Sequence, residues 1–137
     1  MAQSNKHPIT CVATFIRNEF GEYLIGVRKA KTSQEGITER CIPGGKIDWK
    51  ESPEAAAIRE TKEETGLDIK LEGFLGVGND VWANLDHHFI TLYYLASIVG
   101  GKLEEKEPTK LGEWEFLPKD KIPKLFATAS TIVPILP

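Results

Sequence analysis

The chain has 137 residues and 41% of them are hydrophobic, which is enough for one hydrophobic core but scarcely for two, so we expect a single domain over residues 1–137. Its formal net charge is −3 and it has no long basic run, which argues against polymeric nucleic acid as a partner. No apolar run could span a bilayer and the first residues lack a signal peptide's apolar stretch, so we expect a cytoplasmic protein with no membrane contact. Cys11 and Cys41 form no C-x-x-C pattern, so we expect two buried free thiols.

The first elements predicted are two strands that form a hairpin. Residues 9–17 and 23–28 are rich in β-branched side chains, and the turn sequence Asn-Glu-Phe-Gly separates them at 18–21. A polar loop is expected from Lys29 to Glu39. Cys41 and Ile42 are then expected to end a short strand that leads into a glycine turn.

A helix is predicted over residues 53–65. Ser52 can cap its N-terminus, and Pro53 suits the first position because it has no N–H to lose. Glu54 complements the positive end of the helix, and Gly66 can adopt the left-handed conformation that follows a last turn. The sequence therefore indicates both ends of this helix.

The same helix places three glutamates on one face. At 3.6 residues per turn, Glu60, Glu63 and Glu64 fall within an arc of about 100°. Like charges at this spacing repel one another, and a hard divalent cation such as Mg²⁺, which prefers oxygen ligands, would compensate them. Arg59 lies one turn before Glu63 and could orient a carboxylate through paired hydrogen bonds.

The alternative interpretation is an ordinary solvated helix surface. Most helices rich in glutamate and lysine are of that kind. Two neighbouring features favour the metal site instead: the Ile-Pro-Gly-Gly turn at 42–45 offers flexible backbone and exposed carbonyls, and Glu51 ends the intervening loop.

Beyond the helix, the sequence predicts three more strands and a partly helical C-terminal segment. The strands are expected at residues 69–78, 88–99 and 113–117. A polar connection carrying Trp82 is expected over 79–86, and the glycine pair at 100–101 should break the second strand. Residues 119–132 are expected to be helical in part, with an interruption near Pro123.

The spacing of residues 45–67 resembles the signature of the Nudix hydrolase family. It reads Gly45, five residues, Glu51, seven residues, then Arg-Glu-Thr-Lys-Glu-Glu-Thr-Gly-Leu at 59–67. One position departs from the family pattern, since Thr61 stands where a bulky aliphatic residue is usual. The resemblance implies an α/β/α sandwich around a mixed β-sheet and hydrolysis of a nucleoside diphosphate linked to another moiety.

The resemblance also implies roles for individual residues. Glu60, Glu63 and Glu64 would bind Mg²⁺, or Mn²⁺ in its place. Gly44 would add its backbone carbonyl to the metal site. Arg59 and Glu51 would form a supporting pair. The general base would be Glu60 or a glutamate on a later loop.

Two further segments resemble the MutT-type branch, whose members hydrolyse nucleoside triphosphates to monophosphate and pyrophosphate. They are residues 88–92 and the Gly-Glu-Trp sequence at 112–114. In that branch a glutamate just before the Glu-Trp pair reaches the metal cluster, and Glu107 matches it best. Three nearby carboxylates remain alternatives: Glu104, Glu105 and Glu113.

The sequence narrows the substrate only in part. A nucleoside or deoxynucleoside triphosphate is favoured, with ADP-ribose or a dinucleoside polyphosphate as alternatives and a non-catalytic Nudix-fold nucleotide sensor as a different class. Trp82 and Phe126 could stack on a base or fill the core, and Arg28, Lys29 and His87 could contact phosphates or serve structural roles. A homodimer is compatible with the resemblance.

Overall fold

A computed structural model describes residues 6–29, 39–82 and 86–137. Most of the predicted polar loop over 29–39 lies outside these ranges. The strands are β1 (Ile9–Arg17), β2 (Tyr23–Arg28), β3 (Glu39–Cys41), β4 (Gly44–Lys46), β5 (Leu67–Trp82), β6 (His87–Gly101) and β7 (Leu111–Leu117). The helices are α1 (Pro53–Thr65) and α2 (Ala129–Ile132), with 3-10 turns at Lys119–Lys121 and Val133–Ile135.

The strands form one mixed sheet with β1 at its centre. β1 pairs in parallel with β6, and antiparallel with β4 along its first half and with β2 at its end. The strand order is β3-β2-β1-β6-β5, and β7 lies against β2. The predicted hairpin of β1 and β2 is confirmed, with Arg17 opposite Tyr23.

Helical segments cover both faces of this sheet, because successive side chains of a strand point to opposite faces. On one face, Val12 packs with Ala56 and Ala57 of α1. On the other face, Phe15 belongs to the same buried cluster as Ile132 of α2. The fold is therefore the α/β/α sandwich around a mixed sheet that the resemblance implies.

α1 begins and ends at the predicted residues. The Ser52 hydroxyl accepts a hydrogen bond from the Ala55 N–H at 3.1 Å, and Pro53 occupies the first turn. Gly66 has φ 80° and donates its N–H to the Lys62 carbonyl at 3.0 Å. No helix of the described ranges is long and apolar enough to cross a membrane.

The two long strands extend beyond their predicted limits, and this corrects the polar connection expected over residues 79–86. Residues 79–82 continue β5, and His87 already belongs to β6. Asp80 is only 9% exposed and lies opposite Phe89. Polar side chains suggested a loop here, but cross-strand pairing satisfies the backbone and one face of the strand lines a cavity.

One further prediction differs from the structure, and two are confirmed. The glycines expected in a turn form β4, which pairs with β1. The glycine pair at 100–101 ends β6, as predicted. The C-terminal segment is helical only at 119–121 and after residue 128, so the interruption near Pro123 is confirmed.

Thr61, the residue that departs from the family pattern, lies in the core with a side chain only 1% exposed. Its hydroxyl has no hydrogen-bond partner within the described ranges. The hydroxyl of Thr65, one turn later, does have hydrogen-bond partners. It donates to the Thr61 carbonyl at 2.7 Å and accepts from the Leu67 N–H at 3.1 Å.

We therefore predict that Thr61→Val stabilises the protein by about 1 kcal/mol, because it removes a buried hydroxyl without a partner and keeps a similar shape. Thr65→Val should destabilise it by about 1–3 kcal/mol, because it leaves a buried N–H unpaired. Urea denaturation followed by circular dichroism measures both. Equal losses of stability in the two variants would contradict this account of Thr61.

Candidate active site

Glu64 is the most deeply placed of the three helix glutamates. It is 5% exposed, and its Oε1 accepts a hydrogen bond from the Gly44 N–H at 2.8 Å. Burial, followed by the charges of neighbouring carboxylates, raises the pKa of Glu64 to about 9. A buried acidic group among other acidic groups is favourable in its ionised form only when a cation accompanies it.

Arg59 connects the other acidic side chains. Its Nε and Nη2 donate to the two oxygens of Glu51 at 2.7 and 2.8 Å, which is a bidentate pair. Its Nη1 donates to Glu60 at 3.0 Å and to Glu63 at 3.2 Å. The guanidinium therefore holds Glu51 at the loop and both helix carboxylates within one network.

Gly44 and Gly45 allow β4 to approach the helix closely. A Cβ atom on Gly45 would lie 2.4 to 2.6 Å from the Glu60 carboxyl group, and one on Gly44 would lie 2.4 Å from the Val12 carbonyl oxygen. Neither position has room for a larger residue. In the register of β4 with β1, the Gly44 N–H and carbonyl point away from β1, so the carbonyl is available to a ligand as the resemblance implies.

The structure brings Glu107 to the same site. Glu107 lines the cavity with Glu60, Glu63 and Glu64, and its charge contributes to the raised pKa values of Glu60 and Glu64, for which burial is the main cause. The three alternatives have other partners. Glu104 pairs with Lys106, Glu105 accepts from the Glu113 N–H, and Glu113 pairs with Lys29.

This donor set suits a hard divalent cation, since every candidate ligand is an oxygen. In the parts of the chain that are described, however, no three acidic, histidine or cysteine side chains already stand in a coordinating arrangement. Glu60 and Glu63 instead accept hydrogen bonds from Arg59. Their carboxylates would have to rotate away from Arg59 to share one ion with Glu64.

The acidic residues lie at one end of a cavity of about 710 Å³. Aromatic side chains line the other end, where the Trp82 ring lies 5.1 Å from Phe126 and 5.6 Å from Phe89 between centroids. The Arg28 guanidinium lies 4.0 Å above the Phe126 ring. The cavity therefore has an acidic end and an aromatic end.

Sequence reasoning missed several cavity residues. It places Asp80 in a connection and Phe89 in a strand, without a role in the site, and does not include Thr128, whose hydroxyl contacts Asp80. The signal for Asp80 is its alternation with Gly78 and Trp82, which places all three on one face of a strand. Basic side chains at Lys46 and Lys110 also line the cavity.

Cys11 and Cys41 are free thiols that line the same cavity, Cys41 buried and Cys11 half-buried. Burial raises the pKa of Cys11 to about 11 and that of Cys41 to about 12. Both thiols therefore stay protonated at neutral pH, and neither is an activated nucleophile.

Comparison with known proteins agrees with this geometry. The model of the NUDIX domain matches residues 7–136. The crystal structure of a MutT NUDIX hydrolase from Burkholderia pseudomallei superimposes with a TM-score of 0.78 at 28% identity, covering 96% of this chain and 98% of that one.

Two relatives have named activities. An ADP-ribose pyrophosphatase of Methanocaldococcus jannaschii is 36% identical over 85 residues, which are 62% of this chain and 49% of that protein. An 8-oxo-dGTP diphosphatase of Proteus vulgaris is 30% identical over 104 residues, which are 75% of this chain and 88% of that protein. The match thus spans about half the length of the first relative and most of the second.

The pair of Glu51 with Arg59 predicts a pH dependence of stability. Hydrogen bonds from Arg59 lower the pKa of Glu51 from 4.5 to about 2. Since the pKa is lower in the folded state, this pair stabilises the fold above pH 4.5 and the contribution is lost as the pH falls toward 2.

Glu51→Gln should therefore be less stable than the wild type at pH 7, and the difference should shrink as the pH falls from 5 to 3. Denaturant unfolding at several pH values measures it, with Glu19→Gln on the exposed turn after β1 as the control. A difference that stays constant over this range would show that the ion pair does not account for the effect of Glu51.

Proposed function

The chain belongs to the Nudix family, and we propose that it is a divalent-metal-dependent pyrophosphohydrolase that cleaves a nucleoside or deoxynucleoside triphosphate to monophosphate and pyrophosphate. One observation carries the proposal: four glutamates and a glycine backbone line one end of a cavity whose other end is aromatic. The acidic end suits a metal ion with phosphates, and the aromatic end suits a nucleobase.

The named relatives support a phosphoanhydride bond as the target. One is called a pyrophosphatase and the other a diphosphatase. A triphosphate is favoured because the relative that aligns over most of its own length is the 8-oxo-dGTP diphosphatase. ADP-ribose is the second candidate, since the relative that is 36% identical over 85 residues is an ADP-ribose pyrophosphatase.

We assign the metal to the carboxylates of the acidic end and to one backbone carbonyl. The proposed ligands are Glu60, Glu63, Glu64, Glu107 and the carbonyl of Gly44. Nudix hydrolases generally use a divalent ion such as Mg²⁺, which neutralises phosphate charge and makes a coordinated water more acidic. Mn²⁺, with similar oxygen preference, is expected to substitute.

The chain's own groups prepare this chemistry. The Gly44 N–H fixes one oxygen of Glu64, and Arg59, itself held by Glu51, keeps Glu60 and Glu63 beside the site until they turn to a shared ion. Glu60 or Glu107 would accept the proton from the attacking water. Both side chains line the cavity.

Basic residues at the cavity would bind the phosphates that the metal does not reach. Lys46 and Lys110 line the cavity, and Lys110 lies 3.4 Å from Glu107. Arg28 contributes its charge beside Phe126. Lys29 pairs instead with Glu113 and is not a cavity residue.

Three broader properties belong to the same proposal. We propose one domain over residues 1–137, which the NUDIX match over 7–136 supports. We also propose action in the cytoplasm on a small nucleotide, without polymeric nucleic acid. A homodimer is our working assembly, to be tested by light scattering.

The direct test is incubation of the purified protein with a panel of nucleotides, with Mg²⁺ and with EDTA. We expect release of pyrophosphate and monophosphate from at least one triphosphate, and only with the metal. ADP-ribose is included, and its cleavage to two monophosphates would favour the second candidate. Tight nucleotide binding without cleavage of any member would favour a sensor and contradict the proposal.

We predict that Glu63→Gln and Glu64→Gln each lower kcat by about 100-fold or more, because each removes a charged metal ligand. Thermal unfolding should be unchanged or, for Glu64→Gln, raised, because the variant removes a buried charge. Glu54→Gln, in the first turn of the same helix, is the matched control and should keep wild-type activity. Unchanged Mg²⁺-dependent turnover in both test variants would refute the ligand assignment.

A further inference from the structure

Asp80 lies at the aromatic end of the cavity, on the face of β5 that it shares with Gly78 and Trp82. It is 9% exposed and stands opposite Phe89 of β6. A carboxylate so far from water needs hydrogen-bond donors. What those donors are indicates what this end of the cavity binds.

One oxygen of Asp80 is fixed by a chain of hydroxyl groups. The Thr128 hydroxyl donates to Asp80 Oδ2 at 2.9 Å and lies 2.9 Å from the Tyr93 hydroxyl. Burial raises the pKa of Tyr93 to about 12, so Tyr93 keeps its proton. Since Thr128 gives its only proton to Asp80, Tyr93 must donate to Thr128.

Gly78 makes this arrangement possible. A Cβ atom at that position would lie 1.8 Å from the Thr128 hydroxyl oxygen, so any other residue would displace Thr128. Ala127, the residue before Thr128, has φ 59°, a left-handed conformation that costs energy in a residue other than glycine. Such strain often accompanies a binding site.

The second oxygen of Asp80, Oδ1, receives no hydrogen bond from the residues that the structure describes. The fixed chain of hydroxyls has no proton left for it. An acceptor on a largely buried residue that lines a cavity, with no donor among the described residues, is suited to a donor on a ligand.

The sheet sets the distance between this acceptor and the acidic end. Gly44 on β4 and Asp80 on β5 are separated by three strand spacings, about 14 Å, and by four residues along the strands, about 13 Å, so their backbones lie about 19 Å apart. A nucleotide with its phosphates at the acidic end would therefore bring its base, and not its ribose, toward Asp80.

We propose that Asp80, positioned by Thr128, reads the base of the nucleotide and selects a guanine-type edge, in which a ring N–H stands beside an exocyclic amine. This rests on the proposed function, which places a nucleotide in the cavity. An ionised carboxylate only accepts hydrogen bonds. Oδ2 keeps a second lone pair beside the one that accepts from Thr128, so the Asp80 carboxylate can accept from two adjacent donors. Guanine presents two such donors, whereas adenine and cytosine present a ring acceptor beside their amine and uracil has carbonyls on both sides of its N–H, so each of these would set a lone pair against one oxygen of Asp80.

The experiment measures binding of GMP, IMP and AMP by calorimetry in EDTA, so that neither metal nor turnover is required. IMP lacks only the exocyclic amine of GMP. The wild type should bind GMP about 10-fold or more tightly than AMP, with IMP between them. Asp80→Asn should lose this preference, because its amide can accept from Thr128 only by turning its NH₂ group to the cavity.

Asp68→Asn, an exposed aspartate on the same strand, is the matched control and should retain the preference. Thr128→Val tests the positioning role separately and should weaken GMP binding more than AMP binding. It also gives an answer if Asp80→Asn does not fold, which circular dichroism would reveal. Equal binding of the three nucleotides by the wild type, or an unchanged preference in Asp80→Asn or Thr128→Val, would overturn the inference.

Hydrolysis of GTP, ITP and ATP with Mg²⁺ keeps this inference distinct from the proposed function. If no triphosphate is cleaved but the GMP preference depends on Asp80, the proposed function fails and the inference stands. If triphosphates are cleaved and Asp80→Asn lowers kcat/KM equally for all three, the function stands and Asp80 has only a structural role.

Discussion

The hydrogen bond from the Gly44 N–H to Glu64 is the contact on which the rest of the site depends. It joins β4 to α1 and holds a carboxylate inside the protein, where burial makes its charge unfavourable. A single neutral donor does not offset that cost, so the site retains a strong attraction for positive charge. Arg59 meets part of it through Glu60 and Glu63, and the proposed metal would meet the rest.

The second constraint is the close approach of polar side-chain groups to the backbone of the sheet, and glycines allow it at both ends of the cavity. Gly45 lets the Glu60 carboxyl group rest on β4, and Gly78 lets the Thr128 hydroxyl rest on β5. At each place a polar group comes within van der Waals contact of a backbone that has no side chain. The sheet can therefore hold charged groups near its surface without losing its own hydrogen bonds.

Sequence reasoning identified the acidic end because its residues are local. Residues 44–64 carry the proposed ligands apart from Glu107, and the cap residues fixed the helix register and so the shared face of its glutamates. At the aromatic end it identified Trp82 and Phe126 but missed Asp80 and Thr128, for a physical reason. Asp80 and Thr128 are 48 residues apart and meet only because β5 and the C-terminal segment pack together, and a polar strand lining a cavity has the composition of a loop.

The acidic end is built from residues close in sequence and the aromatic end from residues far apart, and this affects how such a chain could change its substrate. The proposed chemistry depends on β4, α1 and one loop glutamate, whereas the base-reading end depends on β5, β6 and the segment around Thr128. The central strands β1 and β6 lie between Gly44 and Asp80, and the separation of these two positions is set by the sheet rather than by any side chain. A substitution at Asp80 or Thr128 can therefore alter which base is bound while the carboxylates that would hold the metal keep their geometry.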